Sequence, residues 1–128
     1  MTCHFDHVHL VSRHPRDSAR WWVETFGAEL LPEADIRGIL FIPVLLDGVK
    51  ITISGPRPSP AGEASEAAPV PHYGLEHLGI RVDDLDGVLA RFAAQGLEVY
   101  ERRESPLFKV AFVAGPDGIC LELMEPRG

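Results

Sequence analysis

An internal repeat constrains the architecture of this 128-residue chain more than any other feature. Two stretches that lie 70 positions apart share a pattern of identical turn residues and alternating apolar residues. The identical pairs are Asp47/Asp117, Gly48/Gly118 and Pro56/Pro126. The same offset superposes Asp6-His7 on Glu76-His77. Because a fixed period indicates structural units of one type, the sequence predicts two similar modules, with one histidine placed on another.

Each module reads as a strand, a helix and three further strands. In the first module, the strands are predicted over 5–11, 29–31, 39–46 and 49–54, and the helix opens at Pro15 and ends at Gly27. In the second module, the strands are predicted over 75–82, 97–100, 108–113 and 119–124, with a helix over 85–95 that Gly96 ends. The Asp-Gly pairs at 47–48 and 117–118 indicate tight turns between the last two strands of each module.

A proline-rich segment over 55–74 joins the modules and is predicted to be an exposed linker without regular structure. Neither module alone can bury both a sheet and a helix. The prediction is therefore a single α+β domain over 1–128, with module one at about 5–54 and module two at about 75–126. Its two βαβββ modules would form one curved, half-open sheet of about eight strands with the helices outside.

Composition narrows the classes of function. The net charge of −7 argues against nucleic acid, since binding a phosphate backbone needs a basic face. The longest apolar run, 39–46, is interrupted by Pro43 and is short for a membrane helix. The first residues lack the basic segment and the apolar segment of a secretory signal peptide, and the chain has only two cysteines. These features predict a cytoplasmic protein with reduced thiols. We expect its partner to be a small molecule, not nucleic acid or a membrane.

Strand alternation leaves a polar inner face on each predicted sheet, opposite the aliphatic side that faces the helices. The candidate site residues on this face are His7, His9, Thr52, His77, Arg81, Cys120 and Glu122. Simple solvent exposure is one explanation of such a face. Two imidazoles and one carboxylate are also a suitable ligand set for a divalent cation that keeps positions open for substrate. A polar cavity without metal is the alternative.

Several motifs carry a resemblance to a known family. The paired modules, the segment DHV at 6–8, the segment LEHLGIRVDDLD at 75–86 and the segment GPDGICLEL at 115–123 resemble the vicinal oxygen chelate superfamily. That superfamily includes glyoxalase I, methylmalonyl-CoA epimerase, extradiol dioxygenases, fosfomycin-modifying thiol transferases and bleomycin-sequestering proteins. The resemblance implies that His7, His77 and Glu122 bind a divalent metal ion, which would be Zn, Ni, Mn, Co or Fe.

The resemblance also implies a reaction. It predicts a metal-dependent lyase or isomerase of the glyoxalase I or epimerase type, which acts on a small substrate with adjacent oxygens through a metal-stabilised enediolate. Glu122 would be both ligand and catalytic base. Arg81 would bind a substrate carboxylate, or else form a salt bridge at the rim, and Cys120 would line the site.

The chain departs from the family at the fourth metal position, which is often Glu or Gln and falls here on Thr52, a poor ligand. His9 is a candidate to complete the site or to contact the substrate. Two other functions stay open: an Fe(II)-dependent dioxygenase of the same fold, and a metal-free protein that binds an antibiotic or metabolite. The family also implies a homodimer, and the linker would permit two chains to exchange modules.

Overall fold

The computed structural model describes residues 2–59 and 62–127. The chain divides into two compact units, 1–65 and 66–128, and the boundary falls inside the predicted linker. Each unit contains one helix and one sheet, which confirms the α+β class and the repeated modules. The described part of the linker carries neither helix nor strand, as expected from its prolines.

The first unit contains five strands and one helix among its described residues. Its elements are β1 (Val8–Val11), α1 (Pro15–Phe26), β2 (Glu29–Leu30), β3 (Ala34–Ile36), β4 (Ile39–Leu46) and β5 (Val49–Ser54). The sheet order is β1-β5-β4-β2, and β3 also pairs with β4. Strand β1 runs parallel to β5, while the other pairs are antiparallel. A parallel neighbour requires a crossover, and α1 provides it.

The second unit contains four strands and one helix among its described residues. Its elements are β6 (Leu78–Arg81), α2 (Leu85–Ala94), β7 (Val99–Glu104), β8 (Phe108–Ala114), a short 3-10 turn (Pro116–Gly118) and β9 (Cys120–Pro126). The sheet order is β6-β9-β8-β7, with β6 parallel to β9. This repeats the arrangement of β1, β5 and β4 in the first unit.

Local sequence explains where the helices begin and end. Pro15 occupies the first turn of α1, where the missing N–H costs nothing, and Gly27 ends the helix with a left-handed φ of 74°. The N-cap of α2 is Asp84, whose side chain accepts a hydrogen bond from the Gly87 N–H at 3.0 Å. The predicted bounds of α1 are confirmed, and α2 ends one residue earlier than expected.

The two predicted Asp-Gly turns are confirmed. Asp47 and Gly48 have φ values of 49° and 79°, so both residues of the β4–β5 turn are left-handed, as a type I′ hairpin requires. Asp117 and Gly118 have φ values of 58° and 74° and lie in the 3-10 turn before β9. The repeat therefore preserves turn chemistry as well as strand order.

Several sequence predictions about the strands differ from the structure. The described residues form nine strands instead of about eight, because β3 pairs with β4 although nothing in its composition marked it as a strand. Strands β1 and β6 begin later than predicted, so that His7 and His77 each lie one residue before a strand. Strand β7 continues to Glu104, beyond the predicted end at 100.

Side-chain alternation gives each sheet one side packed beneath its own helix and one side opposite, which we call the open face of that unit. In the first unit, the buried aliphatic residues are Ile42, Val44, Ile51 and Ile53, with Trp22 and Ala19 from α1. In the second unit they are Ala111, Val113, Leu121 and Leu123, with Leu85, Leu89 and Phe92 from α2. Within the described residues, neither helix has the length and apolar character needed to cross a bilayer.

Candidate functional site

His7 is held by a carboxylate immediately before β1. Its Nδ1 lies 2.6 Å from Oδ2 of Asp6, and Lys50 lies 3.4 Å from the same oxygen. The hydrogen bond from His7, followed by the interaction with Lys50, holds the pKa of Asp6 below its usual value. Because an ionised carboxylate can only accept, the hydrogen-bonding proton is on Nδ1, and the lone pair of the neutral ring is on Nε2.

His77 repeats this arrangement before β6. Its Nδ1 lies 2.9 Å from Oε1 of Glu76, and that hydrogen bond is the main reason why the pKa of Glu76 is lowered. The other nitrogen, Nε2, lies 3.6 Å from Oε2 of Glu122. Both side chains are partly exposed, at 32% for His77 and 22% for Glu122. The second unit therefore brings together two of the three predicted metal ligands.

The acid–histidine pairs are features that the sequence reasoning missed. The signal was present in the repeat, since Asp6-His7 aligns with Glu76-His77, but only the histidines were interpreted. Histidines that bind metals almost always donate their second ring N–H to a carboxylate, a carbonyl or water, which fixes the tautomer and the ring orientation. Asp6 and Glu76 make such contacts.

Glu122 lies on the open face of the second unit between two unlike neighbours. On β6 its register partner is Gly79, where an added Cβ would meet nothing within 4 Å, so the space beside the carboxylate is open. On β8 its partner is Phe112, whose ring meets the edge of His77 with the ring centroids 5.3 Å apart. Glu122 thus has the aromatic side chain of Phe112 on one side and no side chain on the other, at Gly79.

Cys120 lies two residues before Glu122 and is buried. Burial, reinforced by the carboxylates of Glu76 and Glu122, raises the pKa of its thiol. The thiol is therefore protonated at neutral pH, since an unperturbed cysteine already titrates above it. This supports the predicted role of Cys120 as a lining residue, and not as a nucleophile.

His9 and Thr52 are register partners on the open face of the first unit. Nε2 of His9 lies 2.7 Å from Oγ of Ser54, and that hydroxyl donates to the carbonyl of Gly55 at 2.9 Å. Because serine has one proton to give, Nε2 of His9 is the donor in the first bond. Burial, followed by the charges of His7 and Arg57, lowers the pKa of His9. This hydrogen bond weakens the expectation that His9 is a fourth metal ligand through Nε2.

Arg81 is exposed on the open face of the second unit. Its register partner on β9 is Met124, which lies two residues beyond Glu122 on the same strand. Arg81 forms no ion pair with any residue that the structure describes, so the rim salt bridge that we considered is not observed. Its predicted role in binding a substrate carboxylate stays a prediction.

The linker contributes to a cavity of about 370 Å³ within the second unit. The lining residues come from the linker, from β7 and from the 3-10 turn, and they are Glu66, Ala67, Ala68, Pro69, Val70, Tyr100, Asp117 and Gly118. Burial, followed by the charges of Glu98 and Cys120, raises the pKa of Tyr100. Tyr100 could not be placed from the sequence, because its surroundings depend on the path of linker residues 66–70.

Within either unit, the described residues contain no group of three or more His, Cys, Asp or Glu side chains arranged to hold a metal ion. The predicted ligand set draws on both units, with His7 in the first and His77 and Glu122 in the second. Their combined use as a metal site stays a prediction, while the pairing of His77 with Glu122 is observed.

Comparison with known proteins settles the family. The family model described as the Glyoxalase/Bleomycin resistance protein/Dioxygenase superfamily matches residues 4–123. The chain belongs to this superfamily. The resemblance to vicinal oxygen chelate proteins is thereby confirmed for almost the whole chain. No curated protein is significantly similar to it.

Several solved structures share the fold of this chain. A glyoxylase/bleomycin resistance protein/dioxygenase domain from Frankia sp. EAN1pec is 24% identical with a TM-score of 0.76, over 99% of this chain and 94% of that one. The antibiotic-binding protein TnmS3 from Streptomyces sp. CB03234 is 22% identical with a TM-score of 0.67, over 98% of each chain. A variant of the fosfomycin resistance protein FosX from Listeria monocytogenes, complexed with Mn(II) and a dihydroxypropylphosphonic acid, is 16% identical with a TM-score of 0.70, over 96% of this chain and 92% of that one.

Proposed function

We propose that this superfamily member is a divalent-metal-dependent lyase or isomerase that acts on a small molecule with adjacent oxygens. The observation that carries the proposal is the pairing of His77 with Glu122, in which Nδ1 of His77 is occupied by Glu76 and Nε2 lies 3.6 Å from the Glu122 carboxylate. An imidazole nitrogen and a carboxylate oxygen at this separation suit one small cation. His7, oriented in the same way by Asp6, is the proposed third ligand.

The donor set fits Zn, Ni, Mn, Co or Fe, since all of these accept imidazole and carboxylate ligands. FosX, which has the same fold, has been crystallised with Mn(II). A divalent cation held by these residues would act as a Lewis acid, polarising a substrate carbonyl and stabilising the negative charge that develops beside it. Three ligands from the protein would leave positions free for two substrate oxygens.

Glu122 is the proposed base of the reaction. Its carboxylate is half-buried, with open space over Gly79, so a substrate can approach it there. It would accept a proton from the carbon next to the carbonyl and return that proton, on the same face, to the neighbouring carbon. The protonated thiol of Cys120 would line the site, and Arg81 and His9 are proposed to contact the substrate.

Metal analysis tests the first part of the proposal. Protein purified without a tag or added metal should contain or take up close to one divalent ion per chain. His77→Ala and Glu122→Ala should lose it, while His14→Ala, which removes an exposed histidine at the start of α1, should retain it. A wild-type protein that neither contains nor takes up metal would refute the proposal.

Proton exchange tests the second part. Metal-loaded protein in D₂O should exchange the α-protons of a panel of small α-hydroxycarbonyl compounds, as followed by NMR, and Glu122→Gln should stop the exchange. Oxygen uptake by Fe(II)-loaded protein with a catechol panel, without proton exchange, would instead favour the dioxygenase alternative.

A second candidate function is metal-free binding of an antibiotic or metabolite. It is favoured by the first unit, where Thr52 stands at the fourth ligand position and Nε2 of His9 is committed to Ser54. TnmS3, an antibiotic-binding protein, shares the fold. Failure of metal uptake, together with saturable binding of a planar ligand, would establish this function in place of the first.

A further inference from the structure

Two adjacent arginines on β7 point to opposite faces of the second sheet. Arg102 pairs in register with the buried Ala111 and forms an ion pair with Asp86 of α2, so it lies on the helix side. Arg103 pairs with Val110, whose partner on β9 is Met124, and therefore lies on the open face. That face also carries Glu122. Arg103 is exposed, as are all the other residues of β7.

Arg103 and the proposed active-site histidine contact the same aromatic ring. The guanidinium carbon of Arg103 lies over Phe112, 5.5 Å from the ring centroid. The His77 ring meets Phe112 edge-on at 5.3 Å, and Phe112 is the register partner of Glu122. A ligand that lies beside Phe112 on the open face can therefore reach both the arginine and the His77–Glu122 pair.

The cation–π contact holds the guanidinium without neutralising it. Other basic residues nearby have carboxylate partners: Arg102 and Lys109 bind Asp86, and Arg127 binds Glu104. Arg103 forms no ion pair or hydrogen bond with any residue that the structure describes. Its planar set of N–H donors is thus available for the bidentate contact that carboxylates make with arginine.

We propose that Arg103 binds a carboxylate of the substrate and so restricts the site to anionic small molecules. The proposal rests on the proposed use of this open face as the substrate site, and not on the identity of the metal or the reaction. Arg103 lies about 7 Å from Glu122 along the strand direction, which is two residues, and about 10 Å across the sheet, which is two strands. The carboxylate would therefore lie several ångströms away from the adjacent oxygens that react.

Two isosteric probes test this charge preference. The probes 3,4-dihydroxybenzoate and 3,4-dihydroxybenzamide have the same ring and the same adjacent oxygens and differ in charge. Calorimetric titration of the metal-loaded wild-type protein should give a dissociation constant about tenfold lower for the benzoate. Arg103→Gln should remove this preference, mainly by weakening benzoate binding. Arg102→Gln, the matched control one residue away on the other face, should keep it, and Arg103→Lys should restore part of it.

Each remaining outcome has a defined meaning. A wild-type protein that binds both probes equally, or neither, overturns the proposal, as does a preference that survives in Arg103→Gln. Loss of the preference in Arg81→Gln alone would assign the carboxylate contact to Arg81 and overturn it as well. If the wild-type protein takes up no metal but still shows the Arg103-dependent preference, the binding role of Arg103 stands while the metal-dependent function fails.

Discussion

Replacing Glu76 with glutamine should weaken metal binding without moving any proposed ligand. In the wild-type protein, Nδ1 of His77 lies 2.9 Å from Oε1 of Glu76. Glutamine keeps an oxygen that can accept this hydrogen bond, but it removes the negative charge that makes the imidazole a stronger metal ligand. Loss of such a contact typically reduces metal affinity about 10- to 100-fold. The equivalent change in the first unit, Asp6→Asn, should have a smaller effect. Asp6 is 72% exposed against 27% for Glu76, and water screens its charge.

Competition with a chromogenic chelator measures these affinities for Zn²⁺ and Mn²⁺. Asp83→Asn is the control, since Asp83 is an exposed carboxylate of the same unit outside the site. Far-UV circular dichroism should be the same for all variants. If Glu76→Gln binds both metals like wild type while His77→Ala loses them, the carboxylate does not support the ligand. If His77→Ala also retains metal, the site lies elsewhere.

Two further predictions concern the thiols and the turns. The exposed Cys3 should react with a thiol reagent at pH 8 at least about tenfold faster than Cys120, which is buried and has a raised pKa. In denaturant the two thiols should react at the same rate. Equal rates in the native protein would contradict the burial of Cys120. Gly48→Ala should lower the free energy of unfolding, measured by urea denaturation, by about 1–2 kcal/mol, because φ at this position is 79°. Gly79→Ala is the control and should not lower it measurably, because Gly79 has open space for a Cβ and no left-handed φ.

The sequence predicted the fold well where the signals are local. Pro15 and Gly27 fix the ends of α1, and the Asp-Gly pair at 47–48 fixes a hairpin through its own backbone preference. Strand β3 was missed because all three of its residues are exposed, so no alternation of burial marks it. It exists because β4 offers an edge for pairing, which is a tertiary effect.

The candidate site was predictable only in part. The repeat identified His7 and His77, and alternation placed Glu122 on the correct face of its strand. Arg103 escaped notice because the predicted strand ended at residue 100, whereas β7 continues to Glu104, so no sheet face was assigned to position 103. The bond between His9 and Ser54 links positions 45 residues apart and requires the parallel pairing of β1 with β5.

One matched pair of positions differs between the two units in a way that accounts for the proposed set of three metal ligands, in which Thr52 stands where a fourth ligand would be. In the second unit, Gly79 leaves open space beside Glu122, so the long carboxylate side chain fits there. In the first unit, the same register pair is His9 and Thr52: the large ring is on β1 and the short side chain is on β5. His9 is fixed there by Ser54 and by the edge of Phe41, at 5.6 Å between ring centroids.

A glutamate at position 52 should therefore act as a ligand only when His9 is also removed. We expect Thr52→Glu alone to leave metal affinity close to wild type, because its carboxylate meets the His9 ring in the space that a ligand would need. The double variant Thr52→Glu/His9→Gly reproduces the pair at Gly79 and Glu122 and should raise Zn²⁺ affinity by about tenfold or more, as an added carboxylate ligand would. His9→Gly alone is the control and should not raise it. A gain of equal size in Thr52→Glu alone would show that His9 does not occupy this space, and the explanation for the three-ligand set would then be wrong.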